Sequence, residues 1–301
     1  MSISSSPYAK QYANHQGPND GRPTGSHIVK DYGLENKLTG KVVLVTGATS
    51  GIGLETARAM HETGADAQDL IEDIKKSYKG IGKIQLLDLD LGSLDFVKPK
   101  FKSLSTTLDI LITNAGIMTT APGSRTNEGF NMQFGINHLG HYTLTAQLLP
   151  LLIRSSTYEF NSRVVAITSS AHRLSSIWWD DLNLTKTDDS KTANLWMANY
   201  IDRKYGPRGV HASAANPEMI CTGILDDLDP ITSEQWKNDK SAGYHAVPRS
   251  RIDNNLSPAW EGKGGKNLVA CGAGEPLKDV NSVVDPEYAA HAYDEEGEDR
   301  L

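Results

Sequence analysis

Gly47, Gly51 and Gly53 close an apolar run, Lys41-Val42-Val43-Leu44-Val45-Thr46, and open an amphipathic stretch from Ile52 to about residue 63. Glycines at this spacing, after a strand and before a helix, suit the gripping of dinucleotide phosphates. Gly47 and Gly51 permit tight turning and close backbone approach. Gly53 lets helix pack on strand, and the helix N-terminus faces the anion. The same triplet also fits an ordinary strand-to-helix turn, so the surrounding elements decide.

Those elements alternate. Strand-like runs at 41–46, 83–89, 108–113, 163–168, 209–214 and 266–270 are interleaved with helical patterns near 51–63, 68–79, 92–105, 130–154 and 189–205. The pattern predicts an α/β fold of the Rossmann type, a doubly wound parallel sheet in a single domain. Asp188, Asp189 and Ser190 supply capping oxygens for the last long helix, and Gly206-Pro207 stops it. Glu72 and Lys76, four apart, read as a solvated pair on the second helix. Residues 1–35 are rich in Ser, Gly, Pro, Asn and Gln and carry no apolar signal core. They are expected to form a disordered arm, with the folded domain spanning 36–301.

A chain of 301 residues can bury one good-sized core or two small ones. Its net charge of −7 is the wrong sign for a phosphate-binding surface, so nucleic acid is not an expected partner. Two cysteines, Cys221 and Cys271, are too few for a disulfide framework and fit a reducing, cytoplasmic setting. The nearly apolar run 144–153 contains Gln147 and Pro150 and is too short to span a bilayer. No His, Cys or Asp cluster has zinc-like spacing, so no metal is expected. His138, His141 and His172 read as packed or hydrogen-bonded groups.

Several separate motifs follow the glycine turn in order. Thr46-Gly47-Ala48-Thr49-Ser50-Gly51-Ile52-Gly53 precedes Asp90-Leu91, and Asn114-Ala115-Gly116 closes a strand. Then come Asn137-His138-Leu139-Gly140-His141-Tyr142, Ser169-Ser170-Ala171-His172 and Ser190-Lys191-Thr192-Ala193-Asn194. In this order they resemble the short-chain dehydrogenase/reductases, in particular the retinol-dehydrogenase-like and WW-oxidoreductase-like branch. The resemblance covers about residues 38–222 and returns in Trp260-Glu261-Gly262-Lys263-Gly264-Gly265-Lys266.

That resemblance implies an oxidoreductase using NADP or NAD to move a hydride to or from a small lipophilic alcohol or carbonyl. By position, Ser169 holds the substrate oxygen, and Lys191 binds the nicotinamide ribose and supplies positive charge. Asn137 holds a water that passes protons to Lys191. The turn residues Gly47, Thr49, Ser50, Gly51, Ile52 and Gly53 cradle the phosphates. Asp90 and Leu91 lie beside the adenine, and Asn114, Ala115 and Gly116 beside the adenosine ribose. Pro217, Ile220 and Thr222 meet the nicotinamide half. A homodimer through the two long helices, 130–154 and 189–205, is implied as well. Simpler readings stand beside these: Ser169 as a cap, Asp90 capping the helix after it, and Asn114 with Gly116 as strand-end turn formers.

The sequence also departs from the pattern. The family's acid/base tyrosine stands four residues before the lysine, and position 187 is Thr187. A phenol near pKa 10 can be brought down by a neighbouring ammonium, whereas a threonine hydroxyl cannot. Tyr200 falls about 180° around a helix from Lys191, and Tyr205 about 21 Å along its axis, so neither substitutes. The stretch 184–191 looks shortened. After Gly64-Ala65, Asp66-Ala67-Gln68-Asp69 carries no β-branched run, which predicts loss of the second strand. Strand 83–89 would then pair directly with 41–46, and the residue choosing NAD or NADP would be missing. Asn216-Pro217-Glu218 puts an acid where the family has glycine, and residues 241–259, with Pro248 and Pro258, lack a helical period. Three functions remain open on this reading: an impaired oxidoreductase, a dinucleotide-binding pseudoenzyme, or a product with no function of its own.

Overall fold

The computed structural model describes residues 8, 10–11, 21–68, 84–85, 87–97, 105–118, 120–121, 123–174, 176–181, 183, 190–217, 220–221, 245–246, 266–269, 272–273 and 289–301. Strands β1 (Val42–Val45), β4 (Ile110–Thr113) and β5 (Ser162–Ile167) are buried at every residue. Near-continuous apolar runs of this kind belong to parallel strands covered on both faces. Successive side chains sort cleanly. Leu44, Leu111, Val164 and Ala166 pack with Leu148, Leu152, Ala193 and Trp196 on one face. Val43, Val45, Ile110, Ile112, Val165 and Ile167 pack with Val29, Ala57 and Met60 on the other.

With β2 (Asp66–Gln68), β3 (Ile84–Gln85), β6 (Val210–Ala215), β9 (Lys266–Val269) and β10 (Gly272–Ala273), they form one sheet. Its order is β10-β9-β6-β5-β4-β1-β2-β3, and every pairing is parallel except β9 with β10. The winding reverses between β1 and β4, and ligands of such sheets bind beyond the carboxyl ends of the strands at that switch point. β7 (Ile220–Cys221) and β8 (His245–Ala246) make a separate parallel pair. The helices are α1 (Gly25–Asp31), α2 (Gly51–Glu62), α3 (Leu94–Val97), α4, α5 (Ser190–Tyr205) and α6 (Glu295–Arg300). The long run α4 joins Met132–Phe134, a π-helical stretch Gly135–Gly140, and His141–Ser155. Asn131 caps it, its Oδ1 accepting from the amides of Gln133 and Phe134 at 2.9 and 3.1 Å.

Two expectations are corrected here. The second strand is present: β2 pairs Val42↔Asp66, Val43↔Ala67 and Leu44↔Gln68 on one side, and Ala67↔Ile84 and Gln68↔Gln85 on the other. Strand β3 therefore pairs with β2 and does not slide against β1. Burying unpaired strand amides costs about 1–3 kcal/mol each, which outweighs the poor strand preference of Asp-Ala-Gln. The Asp66 amide donates to Lys41 O at 2.8 Å, starting the ladder directly after α2. The ordered chain also begins before Asn36. Thr24 caps α1, Ile28 and Val29 are fully buried, and Ser26 Oγ donates to Glu62 Oε1 at 2.7 Å. Two apolar residues inside a polar stretch are enough to dock one short helix. The expected helix 68–79 lies outside the described residues beyond Gln68, as does 98–104 of the helix at 92–105.

Residues 289–301 carry no motif in the sequence, yet they line α5. Trp196 Nε1 donates to His291 O at 2.8 Å, and Asn199 Nδ2 to Ala292 O and Glu298 Oε1, both at 2.9 Å. Arg203 pairs with Glu298 and Asp299.

Candidate active site

The carboxyl ends of β1, β4, β5 and β6 carry Thr46–Gly53, Asn114–Gly116, Ser169 and Asn216–Pro217, so parallel pairing brings these motifs to one edge of the sheet. In the glycine turn, Gly47 has φ +65° and Gly51 +56°, left-handed values that tax any side chain. A Cβ on Gly47 would lie 2.8 Å from Ala115 Cα, and one on Gly53 2.3 Å from Gly47 O and 2.4 Å from Asn114 Nδ2. Gly53→Ala is therefore expected to cost roughly 1–3 kcal/mol of stability, read by urea denaturation. A variant as stable as the parent would contradict this packing.

Gly47, Thr49 and Ser50 are exposed, while Gly53 is buried and Ile52 half-buried. Ser50 makes no side-chain capping bond, and the first turn of α2 holds no acid. The positive end of a 12-residue helix thus stands open toward the crevice. Residues of this character fit a dinucleotide pyrophosphate.

Thr46 and Asn114 lock the two central strand ends together. Thr46 Oγ1 accepts from the amides of Asn114 and Ala115 at 2.9 and 3.0 Å, and Asn114 Nδ2 donates to Thr46 O at 3.0 Å and Gly47 O at 3.3 Å. Asn114 is a turn holder here, and Ala115 and Gly116 are half-buried beside it. Asp90 is exposed, and its Oδ1 takes the Gly92 amide at 2.8 Å; the α3 amide at Leu94 goes to Glu128 Oε1. Asp90 thus forms a local turn and does not cap α3. Leu91 is buried in the core.

The chemical groups gather around Gly116. A Cβ there would stand 3.3 Å from Asn137 Oδ1 and 3.8 Å from Lys191 Nζ, so the two side chains converge beside Gly116. Lys191 Nζ donates to Ile167 O at 3.4 Å. Asn137 is held at both ends of its amide: Oδ1 accepts from Ile117 N at 2.8 Å, and Nδ2 donates to Ile117 O at 2.9 Å. Its carbonyl accepts from Asn194 Nδ2 at 3.0 Å and also meets His141 Nδ1 at 3.0 Å. Nδ2 also donates to Ser190 Oγ at 3.5 Å, which leaves one Oδ1 lone pair for a water. Ser169 caps the 3₁₀ turn Ser170–Arg173, its Oγ accepting from Ala171 N at 3.2 Å. The hydroxyl hydrogen stays available to donate. Asn216 Nδ2 donates to Ser170 Oγ at 3.1 Å, tying the β6 loop, with half-buried Pro217, to this turn. Ile220 is buried. Thr187, Glu218 and Thr222 lie outside the described residues.

Burial holds His138, His141 and His172 well below the ordinary histidine value, each at about 4, so all three rings are neutral near pH 7. Asn194 Oδ1 meets His138 Nδ1 at 3.1 Å, and His172 Nδ1 meets Ser169 O at 2.6 Å. They are hydrogen-bonded core groups, as their sequence context suggests. Among the described residues, no group of three or more His, Cys, Asp or Glu could hold a metal ion, and no helix is long and apolar enough to cross a membrane. Sequence reasoning assigned no task to Thr46 or Asn194. The only signal was position: one precedes Gly47, the other follows Lys191 by nearly one turn.

Residues 41–231 match the sequence model of the family described as short chain dehydrogenase. The chain belongs to this family. Short-chain dehydrogenase/reductase prx1 of Penicillium roqueforti is 36% identical over 315 aligned positions, covering 98% of this chain and 92% of its own. Retinol dehydrogenase 12 of Mus musculus is 35% identical over 207 positions, 62% of this chain and 64% of its own. The fold of this short-chain dehydrogenase is shared with the Pseudomonas aeruginosa RhlG/NADP active-site complex, at TM-score 0.59 and 24% identity over 78% of this chain and 96% of that one.

Proposed function

We propose that this short-chain dehydrogenase binds a nicotinamide dinucleotide and reduces or oxidises a small lipophilic carbonyl or alcohol, slowly, in the cytoplasm. The observation carrying this reading is the convergence of Asn137 Oδ1 and Lys191 Nζ over Gly116, at the same sheet edge as an uncapped helix N-terminus. The amides of the 47–53 turn take the pyrophosphate, Asn114–Gly116 the adenosine side, and Lys191 the nicotinamide ribose, with Pro217, Ile220 and Thr222 along the nicotinamide half. When bound, the dinucleotide supplies or receives the hydride. Ser169 Oγ–H donates to the substrate oxygen, and Lys191 raises the positive potential there. A proton must still reach that oxygen, and Thr187 cannot deliver it at neutral pH. The prx1 alignment spans 315 positions although the chain has 301 residues, so that relative carries residues with no counterpart here.

With β2 present, we infer a reader for the adenosine ribose from the sequence that follows the strand. The strand ends at Gln68, and the next residue in the sequence, Asp69, stands about 20 residues after the first glycine, where an acid takes the ribose 2′-hydroxyl. NAD(H) is therefore expected to bind at least about tenfold tighter than NADP(H), and Asp69→Ser to narrow the gap. Equal dissociation constants for the two in the unaltered chain would refute this.

Fluorescence titration with NADH and NADPH, followed by reduction assays on a panel of small ketones, tests the whole reading. Saturable binding with slow turnover is expected. A turnover near the typical enzyme value of about 10 s⁻¹ would remove the impairment. Saturable binding without any turnover selects a pseudoenzyme, the second reading that Thr187 favours. Failure to bind either nucleotide, with non-cooperative melting, selects a product without function.

A further inference from the structure

His141 is fully buried at the start of the last section of α4, and it touches both halves of the crevice. Its Nε2 lies 2.8 Å from Thr46 Oγ1, and its Nδ1 3.0 Å from Asn137 O. The protons on these groups can be assigned. Thr46 Oγ1 already accepts two backbone N–H groups, which fills its two lone pairs, so its own hydrogen goes to His141 Nε2. Nδ1 then carries the ring hydrogen and donates to the Asn137 carbonyl, which can only accept. The ring is neutral and held in one tautomer. Burial, with Lys191 and His138 nearby, acts in the same sense.

The connection continues on both sides. On one, Thr46 holds the Asn114–Ala115 amides beside Gly47. On the other, Asn137 O also accepts from Asn194 Nδ2, which donates in addition to Ile167 O at 3.1 Å, the same carbonyl that Lys191 Nζ reaches. An imidazole is rigid, so it fixes the distance between its two partners. An aliphatic side chain would leave a buried hydroxyl and a carbonyl lone pair without this bond.

We propose that His141 is a positioning residue that couples the dinucleotide-binding turn to the Asn137–Lys191 end of the crevice, by bridging the Thr46 hydroxyl and the Asn137 carbonyl. This role rests on the dinucleotide reading above. It sets the spacing between the parts of the chain that hold the two halves of the cofactor, and a generic core histidine would not.

The test uses the full chain with His141→Leu, and Leu144→Ala as the comparison. Leu144 is buried in the same helix, touches neither Thr46 nor Asn137 through hydrogen bonds, and its truncation lowers stability by a cavity alone. His141→Leu is expected to weaken NADH binding about tenfold or more, while Leu144→Ala leaves it within about twofold at a comparable drop in Tm. In a Thr46→Val background, the His141→Leu effect is expected to shrink to about twofold or less, because the bridge is already broken. Independently of any nucleotide, nitrogen-15 histidine NMR of the unaltered chain should show His141 as the neutral Nδ1–H tautomer at pH 7. Observation of the Nε2–H tautomer, or of His141→Leu binding NADH as tightly as Leu144→Ala, overturns the role of His141 alone. An unaltered chain that binds neither NADH nor NADPH overturns the dinucleotide reading, and this role with it, whatever the tautomer.

Discussion

Replacing Thr187 with tyrosine is expected to raise the rate of carbonyl reduction by roughly 10²–10⁴-fold, the usual span for a positioned general acid. On the proposed reading the other groups are present: Lys191 Nζ and Asn137 Oδ1 converge beside Gly116, and the Ser169 hydroxyl keeps a hydrogen to give. A phenol beside that ammonium has its anion stabilised and can shuttle a proton near pH 7. The gain belongs in kcat, with the NADH dissociation constant little changed, because the added group acts on the developing alkoxide and not on the dinucleotide. An equal rate in the variant would show that position 187 does not face Lys191. Insertion of residues before Lys191 to restore the family length would then be the next variant.

Acidification from pH 7 to pH 4 is expected to unfold the protein over a narrow range. His138, His141 and His172 are each held at about 4 against an ordinary value of 6.5, chiefly by burial. Between those values the unfolded chain binds protons that the folded chain refuses, so stability falls as pH drops below about 6.5 and levels off near 4. One pKa unit corresponds to about 1.4 kcal/mol, so even part of this shift at three sites takes a large share of a typical 5–15 kcal/mol. Melting temperatures measured at half-unit steps of pH, with the proton uptake on unfolding, check this. Uptake should approach about three protons near pH 5, and His172→Gln should lower it by about one. A melting temperature that is flat from pH 7 to pH 5 would contradict the burial of these rings.

The parallel sheet was readable because strands buried on both faces are largely apolar, as 42–45, 110–112 and 164–167 are. The glycine turn was readable because its backbone tolerates no side chain at Gly47 or Gly53. β2 was not. Its three residues are chosen by the hydrogen-bonding needs of β1 and β3, and Asp-Ala-Gln carries no trace of that in side-chain preference. Short docking segments escaped for a related reason: α1 is anchored by Ile28 and Val29, and residues 289–301 by polar bonds to Trp196, Asn199 and Arg203. Periodicity detects elements that bury a broad face, and these bury very little. Ser169, Lys191 and Asn137 stand out by motif as proposed site residues, whereas the Thr46–His141 bridge joins two side chains far apart in sequence and leaves no pattern there.

Residues 289–301 occupy the stripe of α5 marked by Trp196, Asn199 and Arg203, one face at helical spacing. A second copy seated on that stripe would compete with a segment of the same molecule, which needs no association step to reach it. Self-association through α5 is thereby placed under competition from within.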